Sequence, residues 1–176
     1  RFGNEGDKTD FRPSAASRGV QPPPVIARHD FPSDWKMLLA IPEVPPGASG
    51  NTETDIFRKN CPIPLAEVRE LSHEILMRML PGIAGRDLDL FGSSVNAVQG
   101  LGFKKVELSL QPPAVTGLLP VMRDAGAAGC GLSSFGPAIY AIGDTGMRAI
   151  EQAAQSYIND YGGGKTLVTI ARNSGA

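Results

Sequence analysis

The chain has 176 residues, 41% hydrophobic and 20% charged, with a formal net charge of −1. That length supports one domain with a substantial core, and the near-neutral balance carries no electrostatic footprint for nucleic acid. No apolar run is long enough to span a bilayer, no signal peptide is visible, and the two isolated cysteines, Cys61 and Cys130, suit a reducing cytoplasm better than a disulfide framework or a zinc site.

The opening "RFGNEGDKTDFRPSAASRG" has no initiator Met and no apolar run, and reads as the continuation of something before it. Residues 1–30 are polar and rich in Pro, Ser and Gly, with Pro22, Pro23 and Pro24 in succession. They bury too little apolar surface for a core, so an extended arm is expected there and a domain over 31–176. "WKMLLAIP" (35–42) is a short apolar run stopped by Pro42, which predicts a buried strand. "EVPPGASGN" follows as a loop.

In "LAEVRELSHEILMRML" the residues Val68, Leu71, Ile75, Leu76 and Met79 recur at helical spacing, and Pro81 with Gly82 are expected to end that helix. A second helix is predicted over Asp87 to Gln99, with Leu88, Phe91, Val95 and Val98 as its stripe. "FKKVELSL" fits a helix or a strand. Pro112 and Pro113 suit the first turn of a third helix ending near Gly126.

"GCGLSSFGPAIYAIG" predicts two short strands, near 128–133 and 137–142, around a tight turn. Asp144 and Thr145 are placed to cap a helix carrying Ile150, Ala153, Ala154, Tyr157 and Ile158. "TLVTIA" closes the chain as a strand near 165–171. This order points to an α+β fold, a two-layer sandwich of a four-stranded, mainly antiparallel sheet with helices on one face.

The chemistry-bearing feature is the turn. Gly129, Gly131 and Gly136 permit backbone conformations that a Cβ disfavours, and Ser133 and Ser134 add hydroxyls. The turn's N–H groups could form an anion-binding concavity. A tight hairpin whose glycines merely allow strands to cross accounts for the same residues. Neither GxxxxGK[ST] nor GxGxxG is present. "SHEIL" starts like HExxH, but Met77 stands where the second histidine would be, leaving His73 as a helix-surface residue.

"GLSSFGPAIYAI" resembles the third conserved motif of the GHMP kinase superfamily, roughly G-x-S-G-S-G-P-x-x-[FY]-A-[IL]. Gly131, Ser133, Gly136, Pro137, Tyr140 and Ala141 match it, whereas Ser134 and Phe135 stand in place of Gly-Ser. Together with "GDKTDFRPSAASRGVQPPPVIARHDFPSDWKMLLAIP", "DIFRKNCPIP" and "VNAVQGLGFKKVEL", the motif resembles the β-ribofuranosylaminobenzene 5′-phosphate synthase family over nearly the whole chain. In that family these segments form the C-terminal half, so the resemblance implies a GHMP kinase C-terminal, ferredoxin-like domain lacking its N-terminal half or partner chain.

The resemblance further implies a decarboxylating phosphoribosyltransferase of methanopterin biosynthesis, an archaeal-type glycosyltransferase. It would join phosphoribosyl pyrophosphate to 4-aminobenzoate or 4-hydroxybenzoate, with Mg²⁺ as cofactor, in a homo-oligomer; the half chain alone is expected to be inactive. Substrate-binding candidates are Gly131, Ser133, Ser134 and Gly136 in the turn, and Lys8, Arg12 and Arg28 along the polar arm with Arg18, Ser14 and Ser17. His29, beside Arg28 and Asp30, is a further candidate. Asp7, Asp10, Glu53 and Asp55 are oxygen ligands of the kind Mg²⁺ takes, and each also reads as a surface carboxylate. Lys104, Lys105 and Glu107 match the family's "GFKKVEL" and also suit a structural ion pair. Two alternatives stay open: an ATP-dependent kinase domain of the same superfamily, and a binding or assembly domain without chemistry.

Overall fold

A computed structural model describes residues 24–174. Four strands form one sheet: β1 (Lys36–Pro42), β2 (Gly129–Leu132), β3 (Ile139–Gly143) and β4 (Gly164–Ile170). Their spatial order is β2-β3-β1-β4, and every neighbouring pair is antiparallel. Leu38 sits at the centre, opposite Ala141 on one side and Val168 on the other.

The period of two along the strands sorts the core into two halves. Leu38, Ala40, Ile139 and Ala141 are buried in the same cluster as Leu118 and Met122 of α7 (Leu118–Asp124) and Ile150, Ala154 and Ile158 of α8 (Met147–Asp160). This is the expected two-layer sandwich. Ile142 belongs to a second cluster with Trp35, Phe91 and Val95, against which Met37 and Tyr140 pack. Phe91 and Val95 come from α4 (Leu88–Val98), so helical cover reaches beyond the α7–α8 layer.

What brings α4 so close is the absence of side chains. A Cβ on Gly129 would lie 2.8 Å from the Cα of Gly92, and one on Gly92 would lie 2.4 Å from the carbonyl oxygen of Ala128. The side-chain amides of α4 then replace a missing strand along β2. Asn96 Oδ1 accepts from the Cys130 N–H at 2.9 Å, its Nδ2 donates to the Ala128 carbonyl at 3.0 Å, and Gln99 Oε1 accepts from the Leu132 N–H at 3.0 Å. An edge strand whose N–H groups are buried needs such partners.

The helix predicted from "LAEVRELSHEILMRML" does not stop at Pro81. It comprises α2 (Leu65–His73), a π-helical turn (Glu74–Met79) and α3 (Leu80–Gly85), which Arg86 ends in the left-handed region at φ 55°. Widening just before Pro81 moves aside the carbonyl that the ring would otherwise strike. The expected apolar stripe is only partly buried: Leu71, Ile75 and Met79 are half-buried, while Val68 and Leu76 stay exposed.

"FKKVELSL" resolves as a helix, α5 (Gly102–Ser109), and the Pro112–Pro113 segment starts α6 (Pro113–Thr116) before α7. Asp144 does not cap α8. Its Oδ1 accepts from the N–H of Thr145, and α8 begins after Gly146. The helix α1 (Gly50–Asn60) was not anticipated, because Ile56 and Phe57 are its only large apolar residues and make no stripe.

Candidate functional site

The β2–β3 turn is closed by two backbone bonds, Ser133 N–H to the Ala138 carbonyl and Gly136 N–H to the Ser133 carbonyl, both 2.9 Å. Ser134 adopts φ 49° and Gly136 φ 70°, and the Gly136–Pro137 peptide is cis. Ser133 and Ser134 are exposed, whereas Phe135 between them and Gly136 is buried. No described residue hydrogen-bonds the Ser133 or Ser134 hydroxyls or the N–H groups of Ser134 and Phe135. The exposed tip thus carries hydroxyl and amide donors on consecutive residues, the composition of an anion-binding turn.

The turn's glycines serve the protein's own packing. A Cβ on Gly131 would lie 2.4 Å from the Tyr140 hydroxyl and 2.8 Å from Gln99 Nε2. One on Gly136 would lie 2.5 Å from Gln111 Oε1. Both close approaches to these glycines are made by side chains of the chain itself. Tyr140 titrates above its ordinary range, mainly through burial, with the Cys130 charge acting the same way.

Three segments that carry the sequence resemblance meet beneath this turn. Phe57 of α1 stacks on Phe103 of α5 with ring centroids 4.2 Å apart and planes at 9°. Phe135 meets Phe57 edge-on at 6.1 Å and Phe103 at 5.9 Å. The Phe135 carbonyl accepts from Gln111 Nε2 at 3.0 Å. Close by, Lys104 Nζ donates to the Leu132 carbonyl at 3.1 Å and pairs with the buried carboxylate of Glu107. Lys105 pairs with Glu67 at 2.7 Å, and Glu67 also accepts from the Gly102 N–H at 2.9 Å. Those two bonds, Lys105 first, hold the Glu67 carboxyl below its usual range. Lys104, Lys105 and Glu107 therefore act as structural ion-pair partners that fix α5 to the turn and to α2.

The other candidates are not gathered here. Arg28 pairs with Asp30 at 3.2 Å and donates to the Asn173 carbonyl at 2.8 Å, beyond the end of β4. Because Lys36 pairs with Ile170 while Ala40 pairs with Ile139, that is the end of the sheet remote from the turn. His29 lies exposed on the same segment, and His73 is exposed at the end of α2. Lys8, Arg12, Arg18, Ser14, Ser17, Asp7 and Asp10 lie outside the described residues. Asp55 is engaged by Arg58 at 3.1 Å, and no group of three His, Cys, Asp or Glu suited to a metal occurs among the described residues. Among the described residues no helix is long and apolar enough to cross a membrane.

Sequence reasoning missed Phe57, Asn96, Gln99 and Gln111. Phe57 lies in "DIFRKNCPIP", a segment already singled out by resemblance. The three amides carry no sequence signal, since only the fold shows which backbone groups they satisfy.

Residues 79–159 match the family described as GHMP kinases C terminal. The chain is 46% identical over 170 residues to a protein of Methanothermobacter thermautotrophicus named β-ribofuranosylphenol 5′-phosphate synthase, covering 97% of this chain and 50% of that protein. A protein of the same name from Methanocaldococcus jannaschii is 47% identical over 175 residues, covering 99% and 51%. The chain spans about half the length of the curated relatives it matches. Among solved structures, homoserine kinase of Cytophaga hutchinsonii superposes with a TM-score of 0.62 at 21% identity, covering 82% of this chain and 44% of that one. Mevalonate kinase of L. major, in complex with R-mevalonate, gives 0.61 at 14%, covering 80% and 44%. Those identities support the shared fold alone. The chain is thus similar in sequence to proteins named β-ribofuranosylphenol 5′-phosphate synthase over about half of their length, and its fold is that of a GHMP kinase C-terminal domain.

Proposed function

We propose that the chain is the C-terminal half of a decarboxylating phosphoribosyltransferase acting in methanopterin biosynthesis. It joins phosphoribosyl pyrophosphate to a 4-substituted benzoate and releases CO2 and pyrophosphate. The observation that carries this reading is the likeness, 44–47% identical across 96–99% of the chain, to three proteins sharing one synthase name. A ribofuranosylphenol product corresponds to 4-hydroxybenzoate as acceptor.

The reaction needs alignment more than a nucleophilic side chain. Pyrophosphate departs with the electron pair of its bond to the anomeric carbon. The ring carbon bearing the carboxylate supplies the pair for the new C–C bond. Loss of CO2 then returns the C–C pair to the ring and restores aromaticity. The exposed hydroxyls of Ser133 and Ser134 and the N–H of Ser134 suit a phosphate or pyrophosphate group, whose charge they would stabilise without reorganising. The remainder of the relatives' length supplies the other side of the clamp. The two cysteines and the soluble phosphorylated substrate suit a cytoplasmic setting.

The test mixes this chain with a companion polypeptide corresponding to the rest of the relatives' length, and adds phosphoribosyl pyrophosphate, Mg²⁺ and carboxyl-labelled 4-hydroxybenzoate. Labelled CO2 release that requires both polypeptides is expected. No release, with ATP-dependent phosphorylation of an alcohol instead, would move the protein to the kinase branch.

A further inference from the structure

A cavity of about 380 Å³ opens beside the glycine turn, between the Pro45–Ala48 loop, Ile56 of α1 and the Leu110–Pro112 segment. Its size lies at the lower end of small-molecule sites, which run from about 300 to 1,000 Å³. Phe135 forms part of its wall, so it is continuous with the donor-bearing turn. No charged side chain lines it, and Gln111 is its one polar side chain.

The orientation of the Gln111 amide is set by its neighbours. Nε2 donates to two carbonyls, Phe135 at 3.0 Å and Glu107 at 3.3 Å. Oε1 is therefore the acceptor end, and no described residue donates to it. It is not sealed from solvent, and it lies beside Gly136.

We propose that this cavity receives the aromatic ring of the acceptor, and that Gln111 selects a ring with a hydrogen-bond donor opposite its reacting carbon. The inference rests on the function proposed above. An uncharged wall cannot take a carboxylate without large desolvation cost, so the carboxylate and the carbon bearing it stay at the mouth. The opposite end, a hydroxyl or an amine, enters. There it donates to Gln111 Oε1. That bond draws the donor's hydrogen toward the amide and raises electron density at the para carbon, the atom that must attack the sugar. The hydroxyl keeps its proton throughout, and the ring recovers its pair when CO2 leaves.

The test titrates the 176-residue chain with 4-hydroxybenzoate, with 4-methoxybenzoate and separately with ribose 5-phosphate, followed by residue-resolved NMR. Saturable shifts from 4-hydroxybenzoate are expected at the Gln111 side-chain NH2 and at the Ala48 and Phe135 amides. The methoxy analogue, which cannot donate, should bind about tenfold more weakly. Gln111→Leu should bind the two alike; should that variant fail to fold, the wild-type comparison of the two ligands decides alone. Equal binding of both ligands, shifts elsewhere, or no shifts would overturn the inference. Ribose 5-phosphate shifts at Ser133 to Gly136 without aromatic binding would overturn it while leaving the proposed function standing. Silence from both probes would count against the turn as a phosphate site as well.

Discussion

Phe103 and Phe135 meet edge to face, with ring centroids 5.9 Å apart and planes at 75°. Phe135 is also where the turn departs from the superfamily pattern of Gly-Ser. The departure thus has a packing role: it drives an aromatic anchor from the turn into α5 and α1. Phe135→Ala should lower stability by about 3–5 kcal/mol, the usual cost of truncating a buried aromatic. Denaturant unfolding would measure it, and wild-type stability in the variant would refute the anchor.

Asn96 satisfies two backbone groups of β2 and its approach that no strand reaches. Asn96→Ala should cost about 1–3 kcal/mol for each backbone group left unpaired. Amide exchange at Cys130 should accelerate selectively. If exchange there is unchanged, the side chain is not the strand's surrogate partner.

The contact between Gly92 and Gly129 leaves no room for a methyl group, since the added Cβ would come within 2.8 Å of backbone. Gly129→Ala should push α4 off the sheet and cost about 1–3 kcal/mol, the range for overpacking. Thermal unfolding is the measurement. Gly146→Ala, where a Cβ meets nothing, provides the control and should be near neutral.

Burial pushes the Cys130 thiol from 9.0 up to about 12, against a smaller opposing effect of Arg123. The native thiol should resist iodoacetamide at pH 8 and react once the chain is unfolded. Below pH 9 both states keep the proton and nothing is lost. Between about 9 and 12 the unfolded chain ionises first, so stability falls as pH rises, by about 1.4 kcal/mol per pH unit from this group. A Cys130→Ala variant whose stability declines equally over that window would exclude the thiol as the cause.

Local pattern alone determined much of this protein. The apolar run at 35–42, the glycine-punctuated pair around 128–142 and the final β-branched run placed all four strands within about two residues of their positions, because strand burial leaves a period-two or continuous apolar trace. The stripe of α8 was equally readable, and so was the motif that marks the turn. Three things required the tertiary structure. Pro81 looked like a helix end, yet a π turn absorbs its ring. The glycines of the turn signalled close approach, but not that Gly92, Tyr140 and Gln111 make it. Arg28 looked like a companion of the turn, yet antiparallel pairing puts it at the other end of the sheet. Periodicity reports which face of an element is buried. It carries no information on which distant side chain fills a space or satisfies a carbonyl, because those depend on contacts between residues far apart in the chain.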